Sequence, residues 1–286
     1  MSTTITAAAA GTIRIGERAV HRLGFGAMRL TGKGVWGWPP DREGAVRVLR
    51  RAVELGVNFI DTSDAYGPEV NEELIAQALA PYSSDLVIAT KGGLTRSGPG
   101  QWAPDCRPER LRSCCEASLR RLRLDHIELY QLHTVDPRLP YADQIGALAD
   151  LRKEGKIRHI GVSNVALEHL RIARSIVEVV SVQNRYNFAD RESEPVLQAC
   201  ERDGLVFIPW FPLDAGEIGK SATVQAIAAR TGCSPYQLAI AWLLRRSRQM
   251  LPIPGTSSAA HLEENIAASG VALSDDEFAE LSAPAP

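Results

Sequence analysis

Between residues 23 and 270, short aliphatic or β-branched runs alternate with longer segments whose apolar positions recur every three or four residues. That alternation is the signature of repeated strand–helix units. Eight runs read as strands: LGFGAM (23–28), NFID (58–61), LVIATK (86–91), IELYQLH (127–133), IRHIGVS (157–163), VVSVQN (179–184), LVFIPW (205–210) and MLPIP (250–254). The helix-like segments are DREGAVRVLRRAVELG, EVNEELIAQALA, PERLRSCCEASLRRL, ADQIGALADLRKEG, LEHLRIARS, SEPVLQACERDG, the pair VQAIAAR and SPYQLAIAWLLRR, and AAHLEENIAAS. Local chemistry agrees with these limits. Pro108 suits a first helical turn, Ser234-Pro-Tyr-Gln237 spells a capping box, and Gly56, Gly155 and Gly204 stand where helices end. Eight such units in about 250 residues predict an α/β fold, a (β/α)8 TIM barrel, because a doubly wound sheet of that size more often shows two halves and a linker. One barrel domain is expected over residues 1–286. Ahead of the first barrel strand, TIRIGERAVHR has two alternating runs about Gly16-Glu17, which predict a β-hairpin placed to plug the barrel's lower mouth. The terminal SAPAP is expected to fray.

Composition narrows the function classes. The 286 residues are 45% hydrophobic and 23% charged, which excludes a disordered or fibrous chain. Thirty-two Lys plus Arg against 34 Asp plus Glu leave a formal charge of -2, so no large positive field exists to hold a nucleic acid. Apolar runs such as AIAWLL fall far short of the roughly 20 residues a bilayer span needs. The start, MSTTITAAAAG, lacks the basic segment of a secretory signal, and a cytoplasmic protein is expected. Five cysteines, including the adjacent Cys114 and Cys115, show no CxxC pair and no spaced Cys/His set, so neither a structural metal nor a disulfide framework is expected. Gly32, Gly34 and Gly37 spell G-x-G-x-x-G, but Trp38, Pro39 and Pro40 delay any helix to about Asp41, which argues for a loop and against a dinucleotide fingerprint.

Barrel chemistry gathers where strands end at the C-terminal face. Here those ends are polar: Asp61, Lys91, His133, Ser163 with Asn164, and Gln183 with Asn184. Neighbouring strands lie about 4.8 Å apart, so Asp61, Lys91 and His133 can converge. Tyr66, in the loop DTSDAYG, is close enough in sequence to fold back among them. Taken singly, Asp61 reads as a loop cap, Lys91 as a solvated lysine, His133 as a core histidine and Tyr66 as packing. Jointly they suit protonation of a carbonyl oxygen. An ammonium roughly 4 Å from a phenol favours phenolate by about 4 kcal/mol at an effective dielectric near 20, with desolvation opposing, so the phenol is expected to be tuned down toward neutrality. Asp61 would orient Lys91, and His133 would donate to the substrate oxygen.

In order along residues 12 to 270, NFIDTSDAYG, LVIATKGG, LYQLH, KIRHIGVSN, SVQNRYN and IPGTSSAAHLEEN resemble the aldo-keto reductases. The resemblance implies a (β/α)8 barrel, reversible reduction of aldehydes and ketones, and NADP(H) as coenzyme. It places the family's catalytic Asp, Tyr, Lys and His on Asp61, Tyr66, Lys91 and His133. It implies that Ser163, Asn164 and Gln183 bind the nicotinamide carboxamide, that Trp210 stacks on the ring, and that the loop from Leu213 to Lys220 covers the pyrophosphate. Gly255, Thr256, Ser257, His261, Glu264 and Asn265 would surround the adenosine phosphate and adenine at a helix N-terminus, itself an anion site. The pattern departs at Gly255 and His261, which stand where many relatives place a Lys and an Arg. GKGVWGWPPDRE, WFPL and IPGTSSAAHLEEN look closest to the bacterial pyridoxal reductases, also called pyridoxine 4-dehydrogenases. Without the long C-terminal segment of mammalian members, the substrate pocket falls to Met28, Trp36, Trp38 and Trp102, which could equally cover the barrel rim.

The expectation is an NADPH-dependent carbonyl reductase, with pyridoxal among the candidate substrates and Tyr66 as general acid. A monomer acting on a small carbonyl molecule is the expected state, with no membrane and no nucleic acid partner. Two rivals keep the barrel. One is an aldolase with Lys91 as Schiff-base nucleophile; the other is a coenzyme-binding regulatory subunit resembling potassium-channel β subunits.

Overall fold

A computed structural model describes residues 5–213 and 219–283. Its frame is a seven-stranded parallel sheet. The strands are β3 (Phe25–Gly26), β4 (Phe59–Asp61), β5 (Val87–Gly92), β8 (Ile127–Leu132), β9 (Ile157–Ser163), β10 (Val179–Arg185) and β11 (Val206–Trp210), hydrogen-bonded in that order. Six correspond to predicted runs within a residue or two; the first is shorter than LGFGAM, since Ala27–Leu30 turns into a 3-10 helix.

The eighth predicted strand needs a correction. Residues 250–254 form no regular strand, yet they join the two sheet edges: Leu251 N donates to Phe207 O, and Gly24 N donates to Pro252 O, both at 2.9 Å. Pro252 and Pro254 have no N–H to give, so a continuous ladder cannot form there, and closure rests on isolated bonds. Gly26 follows from the same closeness, because a Cβ there would lie 2.6 Å from Ile253 O.

Helices pack outside the sheet, namely α1 (Arg42–Glu54), α2 (Val70–Leu79), α3 (Pro108–Leu122), α4 (Tyr141–Lys153), α5 (Leu167–Ile176), α6 (Glu194–Asp203), α7 (Ala222–Thr231), α8 (Pro235–Arg246) and α9 (Ala259–Ala267). Asp41 caps α1 through Gly44 N, and the Ser234/Gln237 capping box forms as the sequence predicts. A further helix, α10 (Asp275–Ser282), was not anticipated, although Ser274 and Glu277 carry its capping box. It stacks Phe278 on Trp242 and accepts the Trp242 indole N–H at Ser282 Oγ, 2.8 Å away.

The N-terminal hairpin is present as β1 (Thr12–Ile15) and β2 (Arg18–His21). Ile15 and Val20 are buried in one cluster with Phe59, Val87, Leu129, Val206 and Ile208, so the hairpin closes the barrel's lower end. A second hairpin, β6 (Leu94–Gly98) and β7 (Gln101–Pro104), stands in what the sequence reads as a plain loop. Of the expected frayed tail, residues 284–286 lie outside the described residues. No helix among the described residues is long and apolar enough to cross a membrane.

Arg22 ties the hairpin's exit to the closing segment, donating to the carbonyls of Leu244, Ser247 and Met250. Arg22→Met removes the side-chain donor from those three carbonyls, and we expect it to lower unfolding free energy by about 2–4 kcal/mol in urea titration.

Candidate active site

Parallel register places the polar ends together. Asp61 lies opposite Ala89 and Lys91 opposite Gln131, so Lys91 projects one pleat beyond Asp61 on the neighbouring strand. Its Nζ donates to Asp61 Oδ2 at 2.7 Å, to Thr62 O at 2.8 Å and to Tyr66 OH at 3.3 Å. All three Lys91 protons are thus used, and the side chain is fully buried. The other Asp61 oxygen accepts from Gln183 Nε2 at 2.8 Å and from Gln131 Nε2 at 3.3 Å. A buried ion pair tolerates its desolvation only with such complete hydrogen bonding.

Tyr66 reaches the pair because its loop is tied at several points. Tyr66 N donates to Ser63 O, Thr62 Oγ1 to Asn71 Oδ1, and Asn71 Nδ2 to Ala27 O. Arg96, on the second hairpin, holds the outer side: its Nη1 donates to Ala65 O and Val35 O, and its Nη2 to Gly34 O. The same guanidinium lies 3.5 Å over the Trp102 ring, and Trp102 meets Tyr66 edge to face at 6.3 Å. His133, just past β8, meets the Tyr66 ring at 5.7 Å and 82°. Its Nδ1 is 3.0 Å from Ser63 Oγ, which leaves Nε2 as the ring nitrogen available to the cleft.

Charge in this cluster departs from expectation at one place. Burial pushes the Tyr66 phenol above its ordinary value, outweighing the Lys91 ammonium, and the Asp61 carboxylate adds to the rise. The lowered phenol the sequence suggested is therefore a correction: burial outweighs the pull of Lys91 toward phenolate, and the Asp61 carboxylate reinforces burial. Burial also opposes the Lys91 charge, but Asp61 and Tyr66 together hold the ammonium above its usual range. For His133, burial and the cations Lys91 and Arg96 keep the imidazole neutral, well below its usual value.

The cluster opens into a cleft of about 410 Å³. Asp61, Tyr66, His133, Ser163, Asn164, Gln183, Trp210, Leu213, Gly255, Met28 and Trp102 all line it, while Lys91 sits behind Tyr66. Asn164 adopts a left-handed backbone (φ 56) that lets its amide donate to His133 O and accept from Trp210 Nε1 at 3.0 Å. Two of the four expected pocket residues are elsewhere. Trp38 is stacked under Arg42 at 3.6 Å on the surface, and Trp36 bridges to Gly67 behind the wall, where Val35 takes the lining position. Thr256, Ser257, His261, Glu264 and Asn265 do not line this cleft; the first two precede the Ser258 cap of α9 and the other three lie on the helix, beyond Gly255. Residues 214–218 of the loop expected over the pyrophosphate lie outside the described residues.

Sequence reasoning missed Arg29, Arg96, Ser63 and Asp64. Arg29 lines the cleft beside Gly255, is exposed, and makes no hydrogen bond or ion pair among the described residues. Only its nearness to a strand end could have marked it. The residues fit a nicotinamide coenzyme: amide and hydroxyl groups at Ser163, Asn164 and Gln183, an indole at the rim, an unpaired cation, and a backbone approach at Gly255, where a Cβ would strike Gly26 O at 2.3 Å. No group of three or more metal-ligating side chains occurs among the described residues.

The Aldo/keto reductase family matches the chain over residues 22–284. The chain is 48% identical over 281 residues to an uncharacterized oxidoreductase of Schizosaccharomyces pombe, covering 98% of this chain and 92% of that one. It is 44% identical over 276 residues to the pyridoxine 4-dehydrogenase of Escherichia coli (strain K12), covering 94% and 96%. Among solved structures, the glycerol dehydrogenase of Gluconobacter oxydans superposes with a TM-score of 0.86 at 26% identity, covering 95% and 94%. An aldo-keto reductase from Klebsiella pneumoniae in complex with NADPH gives 0.81 at 27% identity, covering 94% and 93%.

Removing one half of the ion pair strands the other. Lys91→Met is expected to destabilise the protein by about 3–5 kcal/mol, because the Asp61 carboxylate stays buried without its cation. The double variant Asp61→Asn/Lys91→Met should lose clearly less, and denaturant unfolding of the two side by side checks the difference.

Proposed function

The protein belongs to the aldo-keto reductase family, whose members are NAD(P)H-dependent oxidoreductases acting on carbonyls and alcohols, and from that premise we propose that it reduces a small aldehyde or ketone with Tyr66 as the general acid. The carrying observation is the Tyr66 hydroxyl held 3.3 Å from the Lys91 ammonium on a wall shared with His133. Bound NADPH supplies the hydride. His133 Nε2 and the Tyr66 hydroxyl fix the substrate oxygen from two sides, and the phenol gives up its proton as negative charge develops there. Lys91 then faces a phenolate, and its positive charge, already held by Asp61, stabilises that anion without rearrangement. Ser163, Asn164 and Gln183 would hold the carboxamide, Trp210 would pack on the ring, and Arg29 with the α9 N-terminus would take the phosphates.

The substrate class follows from the relatives and the wall. The 44% identical Escherichia coli relative is a pyridoxine 4-dehydrogenase, which makes pyridoxal the first aldehyde to test. Met28, Leu94 and Trp102 offer an aromatic and aliphatic face for a planar ring. His261 is exposed and Gly255 has no side chain, so the adenosine phosphate meets less fixed charge than a Lys and Arg pair would supply. NADPH is expected to be preferred over NADH by a modest factor.

Following coenzyme absorbance with pyridoxal tests the assignment. Tyr66→Phe should cost on the order of 100-fold to 10,000-fold in kcat with coenzyme affinity nearly unchanged; turnover close to wild type removes Tyr66 from its role. Because the phenol lies above its ordinary value, Tyr66 itself should keep its proton through neutral pH. Alcohol oxidation, which needs phenolate, should rise as pH increases.

A further inference from the structure

Ser63 and Asp64 lie between Asp61 and Tyr66, and both are buried. The Ser63 hydroxyl is 3.0 Å from His133 Nδ1 and 3.2 Å from Asp64 Oδ1, and it accepts the Ala65 N–H at 3.1 Å. A hydroxyl has one proton and two lone pairs. Ala65 occupies one lone pair, so a single lone pair and a single proton remain for two neighbours. One of His133 and Asp64 must donate to Ser63, and the other must accept from it.

Each assignment fixes the far side of the imidazole. With Asp64 ionised, Ser63 O–H points to the carboxylate, His133 donates from Nδ1, and the neutral ring turns a bare Nε2 lone pair to the cleft. Protonation of Asp64 opens the other arrangement, in which its O–H donates to Ser63, Ser63 donates to Nδ1, and the ring proton sits on Nε2. Only the second arrangement offers a donor to a carbonyl oxygen. The imidazolium, which would donate from both nitrogens, is opposed by burial and by Lys91 and Arg96.

We propose that Asp64, acting through Ser63, is a positioning residue that selects the His133 tautomer, so that polarisation of the substrate carbonyl requires a proton on Asp64. The inference rests on the reductase reading above. Asp64 is faced by Glu72 from α2, by Cys114 and Arg121 from α3, by Tyr130 from β8, by Lys91 from β5, whose carbonyl accepts Asp64 N–H, and by Tyr66 and Glu69 of its own loop. Burial first, and the Glu72 charge second, push the Asp64 carboxyl up to about 6, against the opposing Cys114 thiol, Arg121 and Ser63. Glu72 is itself bound by Arg121 at 2.7 Å and by Thr90 at 2.6 Å, which holds its side chain in place on that side. As pH rises through that range, Asp64 loses its proton and the donor at Nε2 passes to Nδ1.

The tautomer is read in the coenzyme-free protein by long-range 1H–15N correlation of the imidazoles, with His133→Gln for assignment, from about pH 5 to about pH 8. His133 should move from Nε2–H to Nδ1–H across that range in the wild type. Asp64→Asn, which has no proton to lose in this range, should hold one His133 tautomer throughout, and Ser63→Ala should uncouple the ring from pH. In pyridoxal reduction, the fall in kcat/KM over the same range should be about fivefold to tenfold steeper for wild type than for Asp64→Asn. A single His133 tautomer across the range in wild type, or an Asp64→Asn profile that follows the wild-type course, overturns the inference. A tautomer switch without any carbonyl reduction instead overturns the reductase reading and leaves the switch standing.

Discussion

The buried Asp61–Lys91 ion pair is the constraint on which the rest of the upper barrel is arranged. A lysine with no exposed surface can stay charged only if every proton has an acceptor, and the three acceptors present are a carboxylate, a loop carbonyl and a phenol. Satisfying the ammonium therefore draws in the loop that carries Tyr66. Satisfying the carboxylate uses amides from β8, next to the lysine's strand, and from β10, two strands farther round. One electrostatic requirement thus couples four strands and a loop, and it places the acidic hydroxyl at the cleft wall as a by-product of its own geometry.

The same pairing explains why Tyr66 keeps its proton in the absence of substrate. Burial of the phenol outweighs the Lys91 ammonium, Asp61 opposes that ammonium, and the proton stays. The opposite balance would leave a phenolate, a poor start for delivering a proton to oxygen. His133 completes the division of labour by staying neutral, a directional hydrogen-bonding group and not a second cation beside Lys91.

Much of this arrangement was legible in the chain because it follows periodicity. Alternating strand and helix patterns located the barrel, and residues ending the runs located Asp61, Lys91, His133, Ser163 and Gln183. What failed did so for physical reasons. Pro252 and Pro254 sit in an apolar run that looks like a strand but cannot sustain a ladder. Leu94–Pro104 pairs across a turn inside a glycine-rich stretch, and short hairpins of that kind leave little periodicity to detect. Trp36 and Trp38 were placed by residue type, whereas their positions are set by Gly67 and by Arg42, contacts that no spacing encodes. Arg96 donates to backbone carbonyls in two other loops as well as in its own hairpin; only the fold brings them together. Ser63 and Asp64 were invisible because loop polar residues usually face water, and here both are buried, Ser63 against a histidine and Asp64 against Ser63.

The most direct test of carbonyl reduction over this ion pair is the fate of the hydride. With coenzyme carrying deuterium at the transferred position of the nicotinamide and pyridoxal as acceptor, mass spectrometry of the wild-type product should find one deuterium on the new carbinol carbon. Unconsumed coenzyme, or an alcohol product without the label, would contradict the account.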